Sequence, residues 1–176
     1  MNVFKSDSHS NFSWSKLGDI KTGRGDLGED MPVIVYRLMQ YTMLDVLTKE
    51  FGLEKANEFF YASGFLAGTE YAKNTLDTSL DFNSFISELQ KSLKSLKIGI
   101  LRMESVDPGT GEMILTVGQD LDCSGLDITN ENVCTYDEGF ISGILEVYTG
   151  KKYKVKEIDC WASGDRVCRF RATANG

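Results

Sequence analysis

The sequence predicts an α+β fold: helices packed on one face of an antiparallel sheet made of two hairpins, with a helix between the hairpins. Two observations predict it. Apolar residues recur at helical spacing through three long segments between about residues 32 and 96. From residue 97 the pattern changes to two pairs of short, strand-like runs, each pair joined by a turn, with one further helical segment between the pairs. Helices grouped apart from antiparallel hairpins indicate this class.

Each element has its own justification. Residues 1–14 are polar and Ser-rich, which predicts a disordered or loosely attached tail ahead of a single domain spanning 15–176. A Gly-rich stretch, "LGDIKTGRGDLGEDMP", leads into the first strong helix, "PVIVYRLMQYTMLDVLTKEFG". Asp30 suits its N-cap, Pro32 its first turn and Gly52 its end. Its apolar residues run almost all the way round, from Val33, Ile34 and Val35 to Leu47, so it is expected to be buried on more than one side, as a core helix or as part of a subunit interface. The second helix, "EKANEFFYASGFLAGTEYAKNTL", carries Ala56, Phe59, Phe60, Gly64, Ala67, Gly68 and Tyr71 on one face, and Gly64 and Gly68 would let another element approach closely. The third begins near Ser79 or Asp81 and has a regular stripe of Phe82, Phe85, Ile86, Leu89 and Leu93. The runs "KIGILRMESV" and "EMILTVGQ" form a hairpin through "DPGTG". A Gly- and Asp-rich stretch leads to the fourth helix, "TYDEGFISGILEVYTG", and a second hairpin, "KYKVKEIDCW" with "RVCRFRA", turns through "ASGD".

Composition narrows the function. The 176 residues are 41% hydrophobic and 26% charged, ordinary for a soluble globular domain. A net charge of -7 argues against a nucleic-acid surface, which needs clustered Lys and Arg. No apolar run approaches the roughly 20 residues that span a bilayer, and the amino terminus lacks the apolar core of a signal peptide. A cytoplasmic location follows, where thiols stay reduced and cysteines paired in space serve as metal ligands or redox groups rather than disulfides.

The sequence has four cysteines. If the last hairpin centres on Gly164, Cys160 and Cys168 lie about opposite each other, with side chains within about 5 Å. Two such thiolates are half of a tetrahedral metal site. Strand alternation puts Glu157 on the face opposite Cys160, so Glu157 joins them only if the strand bulges. Cys134, at a helix start, and Cys123 compete for a further position. Thiolates with one hard ligand suit zinc, and a site of four protein donors is closed and structural. The competing reading is that the cysteines are small buried hydrophobes.

"CTYDEGFISGILEVYTG" followed by "VKEIDCWASGDRVCRF" resembles the 4-vinyl reductase (hydrocarbon-binding) domain family, which is related to the sensor domain of phenol-responsive transcription activators and shares its broader fold with vesicle-tethering TRAPP subunits. In those sensors zinc is held by a cysteine, a glutamate 23 residues on, a cysteine 3 further and a cysteine 8 further. The resemblance therefore implies zinc held by Cys134, Glu157, Cys160 and Cys168, which match all three spacings, with Cys123 a free thiol. It also implies a small apolar or aromatic ligand between helices and sheet. Periodicity puts Phe65, Leu101, Met113, Ile144 and Val155 toward that space, with Tyr153 or Tyr148 as a polar handle. The sensors orient phenol with a histidine and a tryptophan. Here Met113 falls at the tryptophan position and the one histidine, His9, lies in the tail, so a more apolar ligand is expected.

The reductase of the family name finds no support in the residues. "GRGDLG" fits G-x-G-x-x-G, but helices rather than a βαβ unit follow it, and Glu29 and Asp30 would repel a pyrophosphate. With His9 in the tail, the folded part offers no histidine acid–base catalyst, so no catalytic residue is assigned. Three readings compete: a zinc-stabilised sensor or carrier of a small molecule, an enzyme or enzyme partner in tetrapyrrole or aromatic metabolism, and a ligand-free interaction module. The long apolar first helix points to a homodimer.

Overall fold

A computed structural model describes residues 11–174. Residues 1–10 of the expected tail, with His9, lie outside the described residues. The chain divides into a leading unit up to Pro32 and a main unit, Val33–Gly176. The described part of the leading unit holds a 3-10 turn, Trp14–Leu17, and the short helix α1, Ile20–Gly23. Asp19 caps α1 by accepting the Thr22 N–H at 3.0 Å. "GRGDLG" thus begins at the end of a one-turn helix, with no strand before it among the described residues.

The main unit runs α2 (Val33–Phe51), α3 (Leu53–Thr75), α4 (Phe82–Ser95), β1 (Ile100–Val106), β2 (Met113–Gly118), α5 (Thr135–Thr149), β3 (Tyr153–Asp159) and β4 (Cys168–Ala174). The strands form one antiparallel sheet in the order β1-β2-β4-β3, so the two hairpins meet along β2 and β4. This is the α+β architecture that the pattern predicts.

Register fixes what the buried face carries. Leu101 pairs with Val117 and Val117 with Cys168. The next row is Met103, Leu115, Phe170 and Glu157, and the one after includes Met113, Ala172 and Val155. Alternate residues share a face, so Glu157 is the one carboxylate in an otherwise apolar row. α5 covers the free edge of β3: Ser142 Oγ donates to the Tyr153 carbonyl at 2.7 Å, and Glu138 Oε1 accepts the Glu157 N–H at 2.9 Å.

α3 and α5 cross with their backbones in contact. A Cβ at Gly64 would collide with the Tyr136 carbonyl, at Gly68 with that of Phe140, at Gly139 with that of Tyr61 and at Gly143 with that of Phe65. The expected close approach at Gly64 and Gly68 is therefore met by a matching glycine pair on α5. α4 is capped by Asp81, whose Oδ1 accepts the Asn83 and Ser84 N–H groups, and it buries Phe85, Ile86, Leu89 and Leu93.

α2 departs from the expectation of a helix buried on more than one side. Gln40 is buried, but Ile34 is 70% and Leu38 64% exposed, and Val33, Val35, Met39, Met43 and Val46 are exposed too. Periodicity reports how many faces are apolar, not whether the rest of the chain reaches them. Polar contacts hold α2 in place. Tyr36 donates to Asp122 Oδ1 at 2.8 Å, Tyr41 to the Asp122 carbonyl at 2.9 Å, and Arg37 Nε to the Leu121 carbonyl at 2.7 Å.

Candidate metal centre and ligand cavity

Four chain segments deliver the four cysteines. Cys134 sits at the N-cap of α5. Cys168 opens β4 beside Val117. Cys160 follows the register shift between Glu157 and Asp159, which is the bulge that the sequence argument required. It then starts the turn Trp161–Ser163, where Ser163 Oγ accepts its N–H at 3.0 Å and its own carbonyl accepts the Asp165 N–H at 3.0 Å. Gly164, at φ 104°, closes the turn in a conformation that favours glycine. Cys123 comes from the loop after β2, where Asp120 Oδ1 accepts the N–H groups of Asp122 at 2.8 Å and Cys123 at 3.2 Å.

All four cysteines are fully buried, and their sulfurs lie within 4.8 Å of one another. Cys134 Sγ is 3.8 Å from both Cys160 Sγ and Cys168 Sγ, and Cys123 Sγ is 3.1 Å from Cys168 Sγ. Zn–S bonds of about 2.3 Å in a tetrahedron separate the sulfurs by about 3.8 Å, so this donor set fits zinc in kind and spacing. Cys123, expected to stand apart as a free thiol, belongs to the sulfur cluster.

Glu157 lies against the cluster. Its Oε2 accepts the Cys134 N–H at 3.1 Å, while Oε1 is buried with no hydrogen-bond partner among the described residues. Burial, and then the Cys160 charge, push its carboxyl up to about 8. Hydrogen bonds from Cys123, Cys134 and Cys168 hold Cys160 far below an ordinary thiol, whereas Cys134 and Cys168 are pushed up. Sulfurs this close cannot all ionise without a compensating cation.

Beside the cluster, between α4, α5 and the sheet, is an apolar cavity of about 40 Å³. Leu89, Leu101, Leu115 and Ile144 line it, together with the carboxyls of Asp120 and Asp137. Of the residues that the sequence points toward a ligand, Leu101 and Ile144 reach it. Met113 and Val155 are buried one row further along the sheet. Phe65 is half-buried on α3, its carbonyl at the crossing by Gly143. Tyr153 is buried and donates to the Gly111 carbonyl at 3.4 Å, and Tyr148 donates to that of Leu80 at 3.1 Å while stacking on Phe85. The polar groups that do reach the cavity, Asp120 and Asp137, come from "QDLDC" and "TYDEG", where acidic residues read as solvent-facing. No helix among the described residues is long and apolar enough to cross a membrane.

Comparison with known proteins agrees with this arrangement. Residues 113–174 match the model of the 4-vinyl reductase domain. An uncharacterized protein of Methanocaldococcus jannaschii is 28% identical over 145 residues, 82% of this chain and 79% of that one. The phenol-responsive sensory domain of the transcription activator PoxR, solved with phenol, superposes with a TM-score of 0.64 at 15% identity, over 84% of this chain and 78% of that one. Trafficking protein particle complex subunit 3 from Naegleria fowleri, solved with covalently bound palmitic acid, also gives 0.64, at 12% identity over 82% and 95% of the two chains. At these identities the two structures speak for the fold. The segment that carries β2, α5, β3, β4 and three of the four clustered cysteines is a 4-vinyl reductase domain.

Proposed function

We propose that this chain is a zinc-stabilised module that binds a small apolar or aromatic molecule between its helices and its sheet, acting as a sensor or carrier in the reducing environment of the cytoplasm. The observation that carries the reading is the adjacency of the two features. α5 supplies Cys134 to the sulfur cluster and Ile144 to the cavity wall, and β2 supplies Leu115 to that wall while its Val117 pairs with Cys168. A metal at the cluster would tie together the elements that shape the cavity. The fold shared with a domain solved with phenol supports the same reading.

The proposed ligands are Cys134, Cys160 and Cys168, with Cys123 as the fourth, because these are the donors that lie within 4.8 Å of one another. Glu157, the fourth ligand that the spacing suggests, is the competing donor on the strength of its unpartnered Oε1. In the proposed set it instead fixes the start of α5 through the Cys134 N–H. The exposed apolar side of α2 supports a homodimer in which that side is covered by a second copy. Native mass spectrometry of freshly purified protein tests the reading in one measurement. It is expected to show a dimer with one zinc per chain and to reveal any retained apolar ligand. Protein without metal that also fails to bind an apolar fluorescent probe would overturn it.

A further inference from the structure

We infer that the molecule taken into the cavity is an apolar body carrying one hydrogen-bond-donating head, a hydroxyl or an amine, directed at Asp137 Oδ2. This rests on the reading of the cavity as a ligand site.

The cavity wall is hydrocarbon except for Asp120 and Asp137. Asp120 is 3% exposed, and its Oδ1 is occupied by two backbone N–H groups. Asp137, in the first turn of α5, is half-buried as a residue, but its Oδ2 is fully buried and has no partner among the described residues. Among the described residues, no Lys or Arg lines the cavity. A carboxyl oxygen left bare in an apolar site is costly, and a buried group without a partner in a folded protein calls for a reason such as a ligand or water that completes it.

The neighbouring charges decide what kind of head fits. A carboxyl oxygen of Asp120, one of Asp137 and Cys134 Sγ all lie within 4.8 Å of one another. Burial, followed by the charge of Asp122, raises Asp120 to about 7; burial, followed by the charges of Asp120 and Asp122, raises Asp137 well above the usual range. Two carboxyls this close retain a proton between them, which leaves Oδ2 as an acceptor. A neutral donor satisfies it, a pure hydrocarbon leaves it bare, and a carboxylate is repelled. The space exceeds the ~10–15 Å³ needed by one water, which puts single-ring probes at the right scale for a test.

The test uses the full zinc-replete chain and three probes of one shape, phenol, aniline and toluene, with affinities measured by ligand-observed NMR. Phenol and aniline are expected to bind roughly tenfold more tightly than toluene. Asp137→Leu should abolish that preference, and Asp137→Asn, which keeps an acceptor, should preserve it. Toluene binding wild type as tightly as phenol overturns the inference while leaving the cavity reading intact, and needs no variant to fold. Persistence of the preference in Asp137→Leu also overturns it. If none of the three probes binds, the cavity reading fails and the inference falls with it.

Discussion

Glu157 holds the backbone N–H of Cys134 with one carboxyl oxygen, at 3.1 Å, and keeps the other buried and unpartnered beside four clustered sulfurs. A strand residue is thereby tied to the start of the helix that carries one of the sulfurs. Whether Glu157 ligates the metal or supports a residue that does can be separated by mutation.

For the metal, Cys123→Ser and Glu157→Gln are the informative pair. With four sulfur ligands, Cys123→Ser should lower zinc content after dialysis well below one per chain, and Glu157→Gln should keep it. The opposite pattern would establish the carboxylate as the fourth ligand. Stripping zinc with a chelator should destabilise the junction of α5, β3 and β4. A loss of about 4 kcal/mol would lower Tm by roughly 8–16 °C in a chain of this size. Elemental analysis and thermal melting in parallel check both expectations.

The α3–α5 crossing should be intolerant of any side chain. In Gly139→Ala the new Cβ meets the Tyr61 carbonyl and Phe65 backbone nitrogen, neither of which can turn aside. A destabilisation of about 3 kcal/mol is expected. Gly23→Ala, where nothing lies within 4 Å, should stay within about 0.5 kcal/mol of wild type. Urea denaturation of both variants provides the comparison.

If α2 makes the dimer, Ile34→Glu should yield a monomer of 19.6 kDa in sedimentation velocity while leaving the secondary structure unchanged, since Ile34 is 70% exposed within one chain. Wild-type protein sedimenting as a monomer at micromolar concentration would exclude the dimer.

Filling the cavity should block it without disturbing the metal. Ile144→Phe adds volume at the wall and is expected to abolish binding of an apolar probe, at a cost of about 1–3 kcal/mol in stability, with zinc retained. Met113→Leu, one row away on the sheet, should bind the probe as wild type does. Equal probe binding by Ile144→Phe and wild type would place the ligand elsewhere.

The sequence by itself determined the elements and their class. Helical stripes such as Phe85, Ile86, Leu89 and Leu93 and alternating runs such as Tyr153, Val155 and Glu157 are local signals, because each element's own geometry sets the period. It also marked Cys134, Cys160 and Cys168 as partners and required a bulge after Glu157. Tertiary structure alone decided the rest. Cys123 joins the cluster because Asp120 folds the loop after β2 back onto Cys168, which no spacing encodes. α2 keeps its apolar side exposed because Tyr36, Arg37 and Tyr41 dock it through polar groups onto that same loop. The cavity opens along Leu101, Leu115 and Ile144 rather than beside Val155, and Asp137 faces it although its local pattern reads as solvent-facing. Burial and charge at such positions come from residues distant in the chain, so only the folded arrangement fixes them.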